Sequence, residues 1–317
     1  MVLPTDQPDT ILNVLDCLRK QSIASDLEVI LATDSPDSFN TLRESMEGVF
    51  HTIQLIKVPN LSPLGVPRAA AVRIASADLV FIGETHSFAQ PGWAEAIIHA
   101  FSDPRWDAVA CGMGNANPRS RISWASYLGD YSIWSKNLPS SEIAETPLYN
   151  ATYRRTLLRS IDRQLDVALN HGDELRNTLS KTGARAWLAS DAVVNHANID
   201  TPINLIREKY LLGLLIATQR AKRWGWGKRF TYALASPLIP FVLLSRLHRG
   251  YVCSLQSDKI PFGTTPMLVV SKFVQAFGEF IGYLGGGTKA NQLSMDTMEI
   301  RKLDFVTFAI DQFSQDN

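Results

Sequence analysis

Glu84 and His86 are separated by one residue and follow the apolar run 79–82, which is predicted to be a buried strand. Side chains alternate with a period of two in extended backbone, so this carboxylate and this imidazole are expected to point the same way. Such an oxygen and nitrogen pair suits a divalent cation, since the carboxylate oxygen is a hard ligand and the imidazole tolerates Mn²⁺. A solvated acid beside an unrelated histidine is the alternative that the pair alone leaves open.

The elements that position this pair are predicted from hydrophobic periodicity. Residues 10–20 carry apolar side chains at helical spacing, and residues 69–77 form a second, small-residue helix pattern. Residues 27–32 form an apolar run rich in β-branched residues that ends in a turn, as a strand does. Helices that alternate with strands in this way predict an α/β fold with a mostly parallel sheet. Ligands of such sheets bind at the carboxyl ends of the strands, which is where Glu84 lies.

Residues 62–93 contain an ordered series of matches to one known family. Arg68 and Asp78 take the places of the family's Arg and acid, and Pro91-Gly92-Trp93 matches its Pro-Gly-Trp motif. Glu84-Thr85-His86 then stands where the family has Asp-x-Asp. Together these matches resemble family 2 glycosyltransferases. The resemblance implies a GT-A fold, with a mostly parallel sheet and helices on both faces, that binds a nucleotide-diphosphate sugar together with Mn²⁺ or Mg²⁺.

The same resemblance implies which residues contact the donor. They are the Pro4-Thr5 turn after the first strand, the acid after the second strand, and two residues of the segment described above: Pro4, Thr5, Asp34, Arg68 and Glu84. In the family, the acid at the position of Asp34 holds the uracil or the ribose. As an alternative, Asp34 forms an Asx-turn and binds no ligand.

The general base implied by the resemblance is one of two adjacent acids. Asp173 and Glu174 precede a helix pattern and stand near the family's Glu-Asp-x-x-Leu motif, whose Asp is the base. One of them is therefore expected to remove the proton of an acceptor hydroxyl, with inversion at the sugar, and Asp173 is the favoured candidate. The resemblance also implies that His196, at the end of a later strand, joins Glu84 and His86 in the metal site.

Side chains from two further motifs are expected to line the acceptor or the sugar. Residues 147–155 are similar to the segment that opens the helix before the family's catalytic acid. Asn150 within that segment can equally be a helix N-cap. The predicted wall of the acceptor or sugar site consists of Trp93, Asn150 and Arg154.

Charge is distributed unevenly, although the 31 basic and 31 acidic residues cancel. Residues 1–202 carry 17 basic and 23 acidic side chains, whereas residues 203–250 carry nine basic ones and one acid. Residues 203–250 are also rich in aromatics, which favours contact with an anionic membrane surface. The run 230–245 has no charge but contains two prolines, so we expect helices that lie in the membrane interface without crossing it. An amphipathic cap on the first domain is the alternative.

Domain boundaries and location follow from these patterns. We expect a GT-A domain at residues 1–202 and a helical membrane-associated region at residues 203–317. The three cysteines form no Cys-x-x-Cys pair, which argues against a zinc knuckle or a disulfide framework. The balanced charge does not favour nucleic acid as a partner. Because no signal-peptide pattern opens the chain, the expected location is the cytoplasmic face of the plasma membrane, with the cytoplasm as alternative.

The sequence thus predicts a glycosyltransferase of the hexosyltransferase type. It would move a sugar from a nucleotide-diphosphate donor to a hydroxyl acceptor, lipid-linked acceptors included, in glycolipid or cell-surface polysaccharide synthesis. Two alternatives are a catalytically inactive sugar-nucleotide-binding protein of the same fold and a membrane-associated structural protein. Formation of a product excludes the first alternative, and binding of a nucleotide excludes the second.

Overall fold

The computed structural model describes residues 1–307, so the end of the predicted C-terminal region, residues 308–317, lies outside the described part. The chain divides into two compact units. The first unit contains residues 1–114 and 138–195, and the second contains residues 115–137 and 196 onward. The boundary between residues 195 and 196 falls inside the last strand of the sheet.

One sheet organises the first unit. Its nine strands, in chain order, are β1 (Val2–Pro4), β2 (Glu28–Thr33), β3 (Thr52–Lys57), β4 (Leu79–Ile82), β5 (Ser87–Ala89), β6 (Ala108–Asn115), β7 (Ser141–Ile143), β8 (Ala151–Arg154) and β9 (Ala186–His196). The strand order is β3-β2-β1-β4-β8-β6-β9-β5, with β7 paired to β9. The strands at residues 28–33 and 79–82 thus lie within one residue of where the sequence predicts them.

The strands β3, β2, β1 and β4 run parallel, so their carboxyl ends lie at the same edge of the sheet, which is where ligands of such sheets bind. Val2 lies opposite both Ile30 and Ile82, and Pro4 lies opposite Ala32. β8 then runs antiparallel to β4 and to β6. All six residues of β2 are buried, as expected for a strand covered on both faces. The predicted fold class, α/β with a mostly parallel sheet flanked by helices, is confirmed.

Seven α-helices accompany the sheet in the first unit as the structure describes it: α1 (Leu12–Arg19), α2 (Asn40–Ser45), α3 (Gly65–Ile74), α4 (Trp93–Phe101), α6 (Arg155–Ser160), α7 (Leu165–Ala168) and α8 (Gly172–Leu179). α1 confirms the helix predicted for residues 10–20, and its Val14, Leu15 and Leu18 are buried. α3 begins four residues earlier than the predicted start at Ala69. It packs on β1 and β2, and an added Cβ at Gly65 would lie only 2.0 Å from the carbonyl oxygen of Asp166. The close approach to α7 therefore requires glycine in the first turn of α3.

The second unit is helical. Its helices are α5 (Arg121–Tyr131), α9 (Pro202–Ala221), α10 (Trp226–Ala235), α11 (Ile239–Ser257), α12 (Thr264–Tyr283) and α13 (Lys289–Ile300). α9 lies at the start of the region, residues 203–317, that is predicted to be helical. It packs closely along α12, because a Cβ at Gly213 would lie 2.0 Å from the Gln275 carbonyl oxygen and one at Gly278 would lie 2.2 Å from that of Tyr210.

The apolar run of this unit differs from expectation. Residues 226–257 form one helical stretch, with a single 3-10 turn (Ser236–Leu238) between α10 and α11. Pro237 and Pro240 fit because each lies in the first turn of its helical segment, where no N–H donor is needed. The two prolines therefore do not interrupt the helical stretch. Among residues 1–307, this stretch is the one helix whose length and composition would allow it to cross a membrane.

A largely buried charge network joins four helices of the second unit. It consists of Asp130 of α5, Glu208 and Lys209 of α9, Lys272 of α12, Glu299 of α13, and Lys302. Lys209 Nζ pairs with Asp130 and lies 2.8 Å from Glu208 Oε2, and Lys302 Nζ lies 3.0 Å from Glu208 Oε1. Lys272 Nζ donates to the Gly129 carbonyl at 2.7 Å. Each carboxylate thus has at least one ammonium partner, which buried ions require.

Candidate functional site

Three of the predicted donor residues, Pro4, Thr5 and Asp34, lie where neighbouring parallel strands end. Pro4 closes β1, Thr5 follows it, and Asp34 follows β2. The Thr5 backbone N–H donates to the Ala32 carbonyl at 3.0 Å, so β1 and β2 end side by side. Thr5 is fully buried, whereas the Asp34 carboxylate is exposed and accepts a hydrogen bond from Ser35 Oγ. Asp34 is therefore the more accessible of the two to a polar ligand at this edge.

Glu84 and His86 lie in the turn between β4 and β5, and not in the strand itself. The expectation that strand alternation aligns them was therefore wrong, although the turn does bring them together. His86 Nε2 lies 4.0 Å from Glu84 Oε2, and both side chains are buried. The Glu84 Oε2 atom accepts hydrogen bonds from Ser87 Oγ at 2.7 Å and from Asn150 Nδ2 at 2.6 Å. These two donors fix the carboxylate at the end of β4.

Asn150 reaches Glu84 from a distant part of the chain by means of an unusual backbone conformation. Its φ is +57°, in the left-handed region that asparagine tolerates better than most residues. Its N–H donates to the Ile82 carbonyl at 2.8 Å, and its carbonyl accepts from the Cys111 N–H at 3.1 Å. The residue thus precedes β8 and is no helix N-cap. Its fully buried side chain supports Glu84 directly.

Glu84, His86 and His196 form a group of potential metal ligands. One ligand atom from each residue lies within 4.8 Å of the other two, and all three residues are buried. His196 is the last residue of β9, the neighbour of β5 in the sheet. Two ligands at about 2.1 Å from one ion stand at most about 4.2 Å apart, so the group must draw in by some tenths of an ångström around a cation. One carboxylate and two imidazoles form a donor set that suits Mn²⁺, and the residues fit the predicted metal.

His196 is held from both sides within the second unit. Its Nδ1 lies 2.9 Å from Asn198 Oδ1, and the Tyr131 ring packs against the imidazole with 4.5 Å between ring centroids. Neither contact was predicted from the sequence. Asn198 stands two residues beyond the histidine in an unremarkable loop, and Tyr131 comes from a helix 65 positions earlier in the chain.

The two candidate bases occupy the first turn of α8 and differ in their surroundings. The Asp173 carboxylate is 23% exposed and lies 2.6 Å from Arg176 Nη2. The same guanidinium also pairs with Glu145. Glu174 is buried beside Leu175. An acceptor from solution can reach Asp173 more easily than Glu174.

The remaining predicted residues have structural partners. Arg68 is buried, donates from Nη1 to the Leu169 carbonyl at 3.0 Å and lies over the Tyr149 ring. Trp93 is buried at the start of α4, with its ring 4.8 Å from that of Phe81 and its N–H 3.3 Å from Cys111 Sγ. Arg154 donates to the carbonyls of Trp106 and Phe101. It stays a prediction that Arg68 contacts the donor. The same holds for the predicted contacts of Trp93 and Arg154 with an acceptor or sugar.

No protein-family model matches the chain, and no curated protein matches it in sequence. Solved structures that resemble it include three of S. aureus TarS 1–349. The structure without a named ligand is 15% identical with a TM-score of 0.45, the UDP complex 16% with 0.45, and the UDP-GlcNAc complex 14% with 0.44. Each match covers 96% of this chain and 89% or 90% of the TarS chain.

Proposed function

We propose that this chain is a glycosyltransferase that moves a sugar from a nucleotide-diphosphate donor, with UDP as the first candidate, to an acceptor hydroxyl with inversion. The observation that carries the proposal is the position of Glu84. It is buried, held by Ser87 and Asn150, and grouped with two histidines beside the ends of parallel strands. A buried carboxylate needs a compensating positive charge, and a divalent cation, which would also bind the diphosphate of the donor, would supply it there.

The donor is expected to bind along the edge where β1, β2 and β4 end. Asp34, exposed after β2, can accept hydrogen bonds from a ribose hydroxyl or a base N–H. Glu84, His86 and His196 would hold a divalent cation, which when bound neutralises the charge that develops on the leaving diphosphate. The hydrogen bonds from Ser87 and Asn150 keep the Glu84 carboxylate oriented in the absence of ligand.

The acceptor hydroxyl requires a base because it is a poor nucleophile at neutral pH. A carboxylate within hydrogen-bond reach supplies this function, typically worth about 10² to 10⁴ in rate. Asp173 is the proposed base, since its partial exposure leaves it accessible to an acceptor. Glu174 is the alternative base on the same turn of α8.

The full-length chain is tested with a panel of UDP- and GDP-sugars, Mn²⁺ and hydroxyl acceptors that include lipid-linked ones. We expect release of nucleoside diphosphate and an NMR spectrum of the product that reports inversion at the anomeric carbon. Thermal stabilisation by a nucleoside diphosphate and Mn²⁺ without product would favour the inactive sugar-nucleotide-binding alternative. The absence of both thermal stabilisation and product would contradict the proposal.

Glu84→Gln is expected to weaken Mn²⁺ binding by more than about 100-fold. The amide can still accept the hydrogen bonds from Ser87 and Asn150, but it lacks the charge that binds a hard cation. Loss of a residue that only hydrogen-bonds to a metal ligand already lowers metal affinity about 10- to 100-fold, so loss of the ligand charge itself should cost more. Free Mn²⁺ measured by electron paramagnetic resonance gives the affinity. Glu142→Gln, which removes an exposed carboxylate 2.8 Å from Arg185, is the matched control and should bind Mn²⁺ like the wild type. Equal affinity of both variants would remove Glu84 from the metal site.

We further propose that the second unit lies on the cytoplasmic surface of an anionic membrane. One face of the helical stretch 226–257 is apolar and exposed; its large side chains are Trp226, Phe230, Leu234, Leu238 and Phe241. No charged residue lies between residues 230 and 245. Cationic side chains stand at both ends of this charge-free part: Lys228, Arg229, Arg246 and Arg249. Such an arrangement suits acyl chains in the middle and anionic headgroups at the rims.

The opposite face of the same stretch argues for a helix that lies in the interface and does not span the bilayer. Ala233, Pro240, Leu247 and Gly250 are buried within the unit. A Cβ at Gly250 would lie 1.8 Å from the carbonyl oxygen of Ser132, so the backbones are in direct contact. A spanning helix would have to leave these contacts.

Phe230→Ser combined with Leu234→Ser is expected to lower co-sedimentation with anionic liposomes at least about tenfold. Full burial of such a side chain contributes about 1.5–3 kcal/mol, and partial insertion of two supplies about 1.4 kcal/mol or more, which is tenfold. Ile203→Ser on α9 removes a 71% exposed apolar side chain outside this face and is the control. Equal co-sedimentation with neutral and with anionic liposomes would contradict the electrostatic attraction to the membrane. If the protein sediments with neither kind of liposome, the whole membrane proposal is contradicted.

A further inference from the structure

The second unit contains a polar cluster around the end of β9 that the proposed function does not use. Asn198 is buried, and its Oδ1 lies 2.9 Å from Nδ1 of His196. Its backbone is fixed by Asn117, which accepts the Asn198 N–H at 2.9 Å and donates from Nδ2 to the Asn198 carbonyl at 2.7 Å. Ser123 Oγ in turn donates to Asn117 Oδ1 at 2.8 Å. The position of Asn198 is therefore held by several hydrogen bonds.

The orientation of the Asn198 amide is determined by a main-chain group. Its Nδ2 lies 2.8 Å from the His196 carbonyl oxygen, which can only accept a hydrogen bond. It also lies 3.0 Å from Oδ1 of Asn115. The atom that faces the carbonyl must be the NH₂ group, so the atom that faces the imidazole must be the amide oxygen. A flipped amide would place two oxygens against each other.

The protonation of the neutral imidazole follows from this orientation. The amide oxygen of Asn198 has no proton to give, so His196 Nδ1 must carry the hydrogen that makes their contact a hydrogen bond. A neutral imidazole has a single N–H, and Nε2 then keeps its lone pair. A lone pair on nitrogen is what a divalent cation requires of a histidine ligand.

We infer that Asn198 is a positioning residue that holds His196 as the Nδ1–H tautomer and so makes Nε2 the metal-binding atom. The inference rests on the metal site in the proposed function, but the tautomer itself exists without metal, donor or turnover. Asn198 acts on the ligand through one hydrogen bond and does not touch the cation.

The tautomer is measured on the full chain, labelled with ¹⁵N-histidine and free of metal, at about pH 9 where histidines are neutral. Long-range ¹H–¹⁵N correlation spectra distinguish the nitrogen that carries hydrogen from the one that does not, and His196→Gln assigns the signal. We expect the Nδ1–H pattern for His196 in the wild type. The Nε2–H pattern in the wild type would overturn the inference without the need for any Asn198 variant.

Variants then connect the tautomer to the cation. Asn198→Ala is expected to lose the Nδ1–H preference and to bind Mn²⁺ about 10- to 100-fold more weakly, the usual effect of removing such a support. Asn137→Ala, which removes a hydrogen bond to Asp258 elsewhere in the unit, controls for loss of stability alone. Unchanged tautomer and unchanged Mn²⁺ affinity in Asn198→Ala would overturn the inference.

The result is separable from a failure of the proposed function. A chain that shows the Nδ1–H pattern and Asn198-dependent Mn²⁺ binding, but forms no glycoside with any donor, contradicts the transferase and supports the positioning role. A chain that transfers sugar with His196 in the Nε2–H form supports the transferase and contradicts the positioning role.

Discussion

Asp173→Asn is expected to lower the turnover number of glycosyl transfer at least about 100-fold while donor affinity stays near that of the wild type. The amide cannot accept the proton of the acceptor hydroxyl, and general-base catalysis typically contributes about 10² to 10⁴ in rate. Asp173 is 23% exposed and is oriented by Arg176. Glu174→Gln should have a much smaller effect, because that side chain is buried.

Glu145→Gln is the matched control for the ion pair that Asp173 makes. Glu145 is the other carboxylate that pairs with Arg176, and it is exposed to a similar extent as Asp173. Its replacement removes a contact of the same kind but leaves the proposed base. Turnover and donor affinity are measured for each variant under the same acceptor concentrations. A larger loss of turnover in Glu174→Gln than in Asp173→Asn would assign the role of general base to Glu174. Near-normal turnover in both single variants and in the double variant would contradict the proposed mechanism.

Lys209→Met is expected to lower the free energy of unfolding by about 3–5 kcal/mol, the usual result of breaking a buried ion pair by removing one partner. Lys209 is fully buried between Asp130 and Glu208. Burial lowers the pKa of its ammonium, but the two carboxylates more than offset this and raise the pKa above its ordinary value. Chemical denaturation measures the change as a shift of the midpoint at constant slope.

Arg185→Met removes an ion pair with Glu142 in which both side chains are largely exposed, and it serves as the control. Such a pair contributes about 0–1 kcal/mol, so the two variants should differ clearly. Burial raises the pKa of Glu208, but Lys209 and Lys302 outweigh it and hold that pKa below its ordinary 4.5. The contribution of Glu208 is therefore present above pH 4.5 and is lost as the pH falls below it, so the deficit of Lys209→Met should shrink in acid. Equal stability of both variants at neutral pH would contradict the role of the network.

Hydrophobic patterning located the elements that carry the site. β2, β4 and α1 appear where the spacing of apolar residues predicts them, because their burial is a property of local sequence. The metal group also agrees with its prediction in composition, since Glu84, His86 and His196 do come together. The prediction of how Glu84 and His86 are aligned was wrong, since a turn and not strand alternation brings them together.

The supports of the site could not be predicted because they come from distant positions. Asn150 reaches Glu84 across 66 residues, and nothing local to either residue indicates a backbone with positive φ at Asn150. The amide of Asn198 is oriented by a carbonyl and by Asn115, which is 83 residues away. Contacts of this kind depend on strand order, which periodicity does not specify.

The helix α5 has a consequence for how this protein can be cut or recombined. Its residues, 121–131, lie in sequence between two strands of the sheet, yet they belong to the helical unit and pack against α12. A chain that stops at residue 202 would therefore keep α5 but lose α12, which packs on it, and α9, whose Leu205 and Leu211 share a buried apolar cluster with Ile122. No single break in the polypeptide separates the two units. A swap of the helical unit with that of another protein would have to exchange two segments at once, residues 115–137 and everything from residue 196.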